Sequence, residues 1–192
     1  MFKKLFGTVT SLSDIIKKQD DSKSVVYSVS AQFHGDEVVN DLPAGLVLEK
    51  HLVIEKGVKF VNKTSLRAKK GLTNSGYIVN GDSNNSRSQL SVGNEFKNNG
   101  QLKNKGIFSV MRDTKVTFTE GSEVLNLGTF DNDGEINVYG SIYNNRLLCN
   151  KGSISIDLDT GSLNASAGSK FENRGTYNVL PKKVARQHNT PL

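Results

Sequence analysis

GSEVLNLGTF, residues 121–130, decides the fold, because it is one of four copies of a single phrase. The others are GVKFVNKTSL at 57–66, GNEFKNNGQL at 93–102 and GSKFENRGTY at 168–177. The shared grammar is Gly-x-x-Φ-x-Asn-x-Gly-x-Φ, with Φ apolar and Thr64 replacing the second glycine in one copy. The leading glycine suits a turn with positive φ. Between the apolar positions, Asn-x-Gly offers an asparagine that tolerates the left-handed region and a permissive glycine. The phrase therefore reads as turn, short strand, turn, short strand. Shorter echoes fill the gaps: NSGYI (74–78), NKGIF (104–108), NDGEI (132–136) and NKGSI (150–154). Asn98 to Asn104 and Asn126 to Asn132 are steps of six residues, and Asn132 to Asn150 is a step of eighteen. A turn ladder is expected at Gly57, Asn62, Asn74, Gly76, Gly93, Asn98, Gly100, Asn104, Gly106, Gly121, Asn126, Gly128, Asn132, Gly134, Asn150, Gly152, Gly168, Asn173 and Gly175.

Strand-sized repeats that each bury one short apolar face must stack on their neighbours, which is the mark of a solenoid. A β-sandwich with Asn-Gly hairpins is the alternative, but hairpins do not explain one spacing kept in four copies. Stacked asparagines can hydrogen-bond along the axis, as they do in cross-β stacks. The segments LVIEKGVKF, VTFTEGSEVLNLGTF and SAGSKFENRGTYNV resemble rungs of right-handed parallel β-helix proteins. These include phage tail-spike and fibre proteins, adhesins, pectin-degrading enzymes and bactofilins. The resemblance covers residues 45 to 180, lies in rung grammar only, and implies architecture more than function. Six-residue steps also occur in left-handed hexapeptide helices. The expected fold is all-β: a single-stranded parallel β-helix, right-handed by the resemblance, with an N-terminal amphipathic helix and a flexible C-terminal tail.

The chain of 192 residues fits one domain. Hydrophobic residues make up 35% and Trp is absent, which suits a thin core better than a broad one. Roughly 20 residues per coil would give about six or seven coils over 45–180. Four parts are expected: a docking or capping helix over 1–19, a linker and irregular first coil over 20–44, the solenoid over 45–180 and a basic tail over 181–192. In the helix, Phe2, Leu5, Phe6, Val9, Leu12, Ile15 and Ile16 form the apolar stripe. It reads as a cap or protein-docking element, with a membrane surface possible. The tail adds Lys182, Lys183 and Arg186 as docking candidates. The stretch 82–88 reads as a projecting loop.

The net charge of +6 is axially polarised. Residues 20–49 carry one positive and six negative groups, 50–115 thirteen and four, and 116–180 four and eight. In a solenoid sequence order is axial order, so a basic section lies beside acidic ones, and complementary patches steer association. The start lacks the apolar core of a signal peptide, and no apolar run reaches membrane-span length. These point to synthesis inside the cell.

Chemistry is sparse. Asp131, Asp133 and Glu135 alternate onto one face by the strand rule, as do Asp157 and Asp159. Paired carboxylates can act as acid and base on sugars or hold calcium, but solvated faces are where such residues usually lie. His34, His51 and His188 lack metal-ligand spacing. The lone Cys149 excludes an intramolecular disulfide and reads as a packed strand thiol. Phe60, Phe96 and Phe108, with Tyr77, sit among the lysines but at or beside core positions, so a nucleic-acid surface is not favoured. No catalytic residue, metal, cofactor, small-molecule substrate or specific nucleic acid is expected. The expected function is structural: a virion component such as a capsid decoration or fibre base, working with capsid proteins or by self-association. A bactofilin-like polymer in the cytoplasm and a polysaccharide-binding or -cleaving protein are the alternatives.

Overall fold

The computed structural model describes residues 36–81 and 88–181, with the backbone of four short strands nearer the start, Lys3–Leu5, Val9–Ser11, Val25–Tyr27 and Ala31–Phe33. The chain winds through three parallel sheets in turn, one short strand on each per coil. The first sheet has nine strands and ends with Ser153–Asp157 and Thr176–Leu180; the second and third have eight each and end with Ser162–Ala165 and Lys170–Asn173. Every pairing is parallel, as a solenoid of this kind requires. From Leu52–Ile54 to Thr176–Leu180 the first sheet counts seven strands, a stack about 29 Å long.

The winding rule is visible in Ile136, Ile142, Leu148 and Ile154, six residues apart and all buried. Three such steps bring Ile154 beside Ile136 on the same sheet. Longer coils keep this register by inserting residues at corners. Leu72 pairs with Phe96, twenty-four residues on, and that coil contains residues 82–87. Each four-residue strand sends two side chains inward. The first is large and apolar, such as Phe60, Leu102 or Val124; the second is often asparagine, such as Asn62, Asn104 or Asn126.

Four phenylalanines from two neighbouring coils form the densest part of the core. Phe96 meets Phe108 at 5.7 Å and Phe118 at 6.1 Å, both edge-on, and Phe130 lies 4.7 Å from Phe108. Edge-to-face contacts add about 1 kcal/mol beyond area burial.

Regular pairing extends ahead of residue 45, since Glu37–Asn40 pairs in register with Lys59–Asn62. The helix expected over 2–18 falls mostly outside the described residues, and the parts of it that are placed, Lys3–Leu5 and Val9–Ser11, are strands. Residues 82–87 and the tail from 182 onward lie outside the description, and with them Lys182, Lys183 and Arg186. Strand alternation would point Leu158 inward with Ile154 and Ile156, but it is exposed because the strand ends at Asp157.

Candidate functional site

The asparagines stack and hydrogen-bond along the axis as expected, but from strand ends and not from turns. They do not occupy left-handed turn positions; the only non-glycine residues with positive φ are Asn94 and Asp113 among the described residues. Instead Asn40, Asn62, Asn80, Asn104, Asn126 and Asn144 close successive strands of the second sheet and point into the core. Each Nδ2 donates to Oδ1 of the next, at 2.7 to 2.8 Å. Its other proton reaches a carbonyl of the following coil, as from Asn104 to Thr129 at 2.8 Å. Asn74 and Asn98 repeat the device on the first sheet, and Asn132, Asn150 and Asn173 on the third. Ladder and carbonyl together satisfy a buried amide that would otherwise cost several kcal/mol.

The second glycine of the phrase is also explained differently. Gly100, Gly128, Gly152 and Gly175 lack positive φ. A Cβ at Gly128 would fall against the carbonyl oxygen of Gly106, and one at Gly175 against that of Gly152. At these glycines the backbone of the preceding coil leaves no room for a Cβ. Of the four leading glycines, Gly57, Gly121 and Gly168 have positive φ; Gly93 does not, and the next residue, Asn94, takes that conformation instead. The ladder asparagines thus hold the backbone from inside the core, apart from the end coil, whereas Gly57 and Gly121 lie exposed at turns.

The acidic residues separate. Asp131 faces outward from the third sheet, Asp133 sits at a corner, and Glu135 faces outward from the first sheet. The expected common face fails because the chain turns at Asp133–Gly134, and alternation holds only within a strand. Asp133 meets Lys151 at 3.7 Å and Glu135 meets Lys115 at 3.9 Å. Asp157 accepts from the backbone N–H of Asp159 at 2.9 Å. These two line an open groove of about 420 Å³ with Glu120 and Tyr139. Among the described residues no three His, Cys, Asp or Glu side chains gather as metal ligands would.

Cys149 is not packed in the core. It stands half-buried on the outer face of the third sheet, in the column between Asp131 and Glu172. Partial burial and those two carboxylates push its thiol above the ordinary range, which makes it a poor nucleophile. Phe60, Phe96 and Phe108 are core, whereas Tyr77 is half-buried on the outer face. The basic residues spread over all three sheets: Arg67 on the third, Lys97 on the first, Lys103 on the second. Lys59 and Lys69 already pair with Glu37 and Glu49.

Among the described residues, exposed apolar side chains concentrate on the last coil. Phe171 is 38% exposed, Tyr177 37%, Val179 47% and Leu180 46%. Phe171, Tyr177 and Val179 occupy inward positions, those that are sealed in every coil below. Phe171 and Tyr177 pack at 5.3 Å and leave their upper surface open. Around them lie the outermost strands of the three sheets among the described residues, and such edges are templates for pairing with another chain. The sequence signalled none of this, because the residues match those of buried copies.

The chain finds no match among protein-family models, curated proteins or solved structures.

Proposed function

We propose that this protein is a non-enzymatic structural protein that works by assembly through the ends of its solenoid, as a virion component of the decoration or fibre-base type. The observation that carries this reading is the open last coil. An apolar patch framed by strand edges is a surface built to be covered. The even hydrogen bonding of the stack supports a rigid spacer, which suits a particle component. Partners are then proteins: a second copy, capsid proteins, or both. The apolar residues Phe2, Leu5, Phe6, Val9, Leu12, Ile15 and Ile16 near the start and the basic residues Lys182, Lys183 and Arg186 would supply further docking groups. The site is the virion or the cytoplasm of the cell that makes it.

A bactofilin-like polymer is the second reading, favoured by the same strand edges, which would let coils continue from one copy into the next. Negative-stain microscopy with light scattering separates the two. Discrete particles favour the virion component, and open filaments favour the polymer. A sugar-cleaving role predicts lost activity when Asp157 and Asp159 become Asn; the assembly reading predicts no change in particle size from that pair.

A further inference from the structure

We infer that the last coil is covered by the last coil of a second copy, in a closed two-fold dimer whose axis passes through Phe171. The inference rests on the assembly reading and specifies which end is used, by what, and in which register.

The geometry of a helical stack selects the symmetry. Each coil climbs one strand spacing over three faces, so successive strands step up by about a third of 4.8 Å. Thr176–Leu180 is therefore highest, Lys170–Asn173 next and Ser162–Ala165 lowest. A two-fold axis through the third sheet sets Lys170–Asn173 against its own copy and Thr176–Leu180 against the partner's Ser162–Ala165. High then meets low, middle meets middle, and one strand spacing closes all three faces together. An axis through either other sheet leaves a gap or a clash on two faces. Pairing across this axis is antiparallel.

Charge then selects the register. Inward residues must oppose inward residues, so the axis crosses Lys170–Asn173 at either Phe171 or Glu172. An axis at Glu172 sets two carboxylates face to face and Lys170 against Arg174. An axis at Phe171 sets Lys170 opposite Glu172 twice, and directly opposed unlike charges stabilise strand pairs. Within one copy Lys170 and Glu172 already form an ion pair at the surface, so the dimer exchanges partners without stranding a charge. The same register places Tyr177 over Leu163, because Leu163, Phe171 and Tyr177 stand on the columns of Ile142, Leu148 and Ile154, which are six residues apart. It also stacks the two Phe171 rings.

Residues 182–192 offer Val184, Ala185 and Leu192 beside three cations. Residues 116–180 carry a formal charge of −4 against +3 for residues 182–192, and unlike charges on the two copies favour their approach. An isologous contact of this kind closes at two. Its area, roughly 1,000 Å² in total, lies at the lower end for specific interfaces, so the dimer should dissociate on dilution.

The test is the mass of the full chain by light scattering across a dilution series, with Lys170→Glu and the double variant Lys170→Glu/Glu172→Lys. A dimer for the wild type, at least tenfold weaker in the single variant and restored in the double, supports the inference. In a Cys149→Ser background, Phe171→Cys should form a disulfide-linked dimer on oxidation. Larger or filamentous species indifferent to Lys170→Glu overturn the inference and leave the assembly reading standing. A monomer at every concentration overturns the inference and removes self-association from that reading.

Discussion

Two copies of one phrase meet opposite fates. In GSEVLNLGTF the positions Val124, Asn126 and Phe130 are sealed, each 1% exposed or less. In GSKFENRGTY the equivalent positions Phe171, Asn173 and Tyr177 all lie open. The residue types and local conformation are alike; the difference is that one coil has neighbours on both sides and the other on one. Burial in this protein is therefore a property of stacking, and the last coil is a core surface awaiting a partner. In repeat architectures stability is a sum of unit and neighbour terms, so the same mutation should read differently at the two places.

The aromatic pair should give the largest contrast. Phe130→Ala should cost about 4 kcal/mol, whereas Phe171→Ala should cost about 1 kcal/mol in the isolated monomer. Urea unfolding of both variants at low concentration checks this, and equal losses would break the comparison.

Next come the ladders. Asn104→Ala removes the ladder partner of the Asn80 Nδ2 and of the Asn126 Oδ1, a loss of about 2 to 3 kcal/mol. Asn173→Ala removes only the terminal acceptor for Asn150, and its effect should stay below about 1 kcal/mol. Comparing the two by thermal unfolding sharpens the claim that the ladder works through burial.

The glycines make a smaller contrast of a different kind. Gly121→Ala meets no neighbour and keeps a positive φ, costing about 1 to 2 kcal/mol. Gly128→Ala should cost more, since its Cβ meets the backbone of the coil below. A reversed order would show that φ, not close approach, explains the second glycine.

The smallest effect concerns charge at the end coil. Lys170 hydrogen-bonds Glu172 and lies beside it, holding that carboxyl below the usual glutamate range and raising Lys170 in turn. A lowered folded pKa means that the pair is intact above the ordinary glutamate range and is lost as pH falls through the depressed value. An NMR titration of Glu172 should therefore show its midpoint displaced to lower pH, and the displacement should vanish in Lys170→Ala.

Much of the fold was legible because Gly, Asn and apolar residues recur at spacings set by the six-residue face. What stayed hidden followed from corners. Alternation put Asp131, Asp133 and Glu135 together, but a corner every six residues rotates the chain onto a new face. The asparagines looked like turn formers because their turn preference is strong in isolation; only stacking gives each amide a neighbour along the axis and makes burial affordable. Cys149 looked buried for want of a rule saying which residues of Leu147–Asn150 face inward. The open coil was illegible in principle, since its sequence is that of a buried one.

Amide hydrogen exchange of the full chain, in dilute and in concentrated solution, tests the central claim most directly. The account predicts that Glu123–Asn126 and Thr129–Asn132 are strongly protected in both. Lys170–Asn173 and Thr176–Leu180 should exchange quickly when dilute and gain protection as concentration rises. Equal protection of middle and last coils in dilute monomer would contradict it, because the last coil would then be complete without a partner.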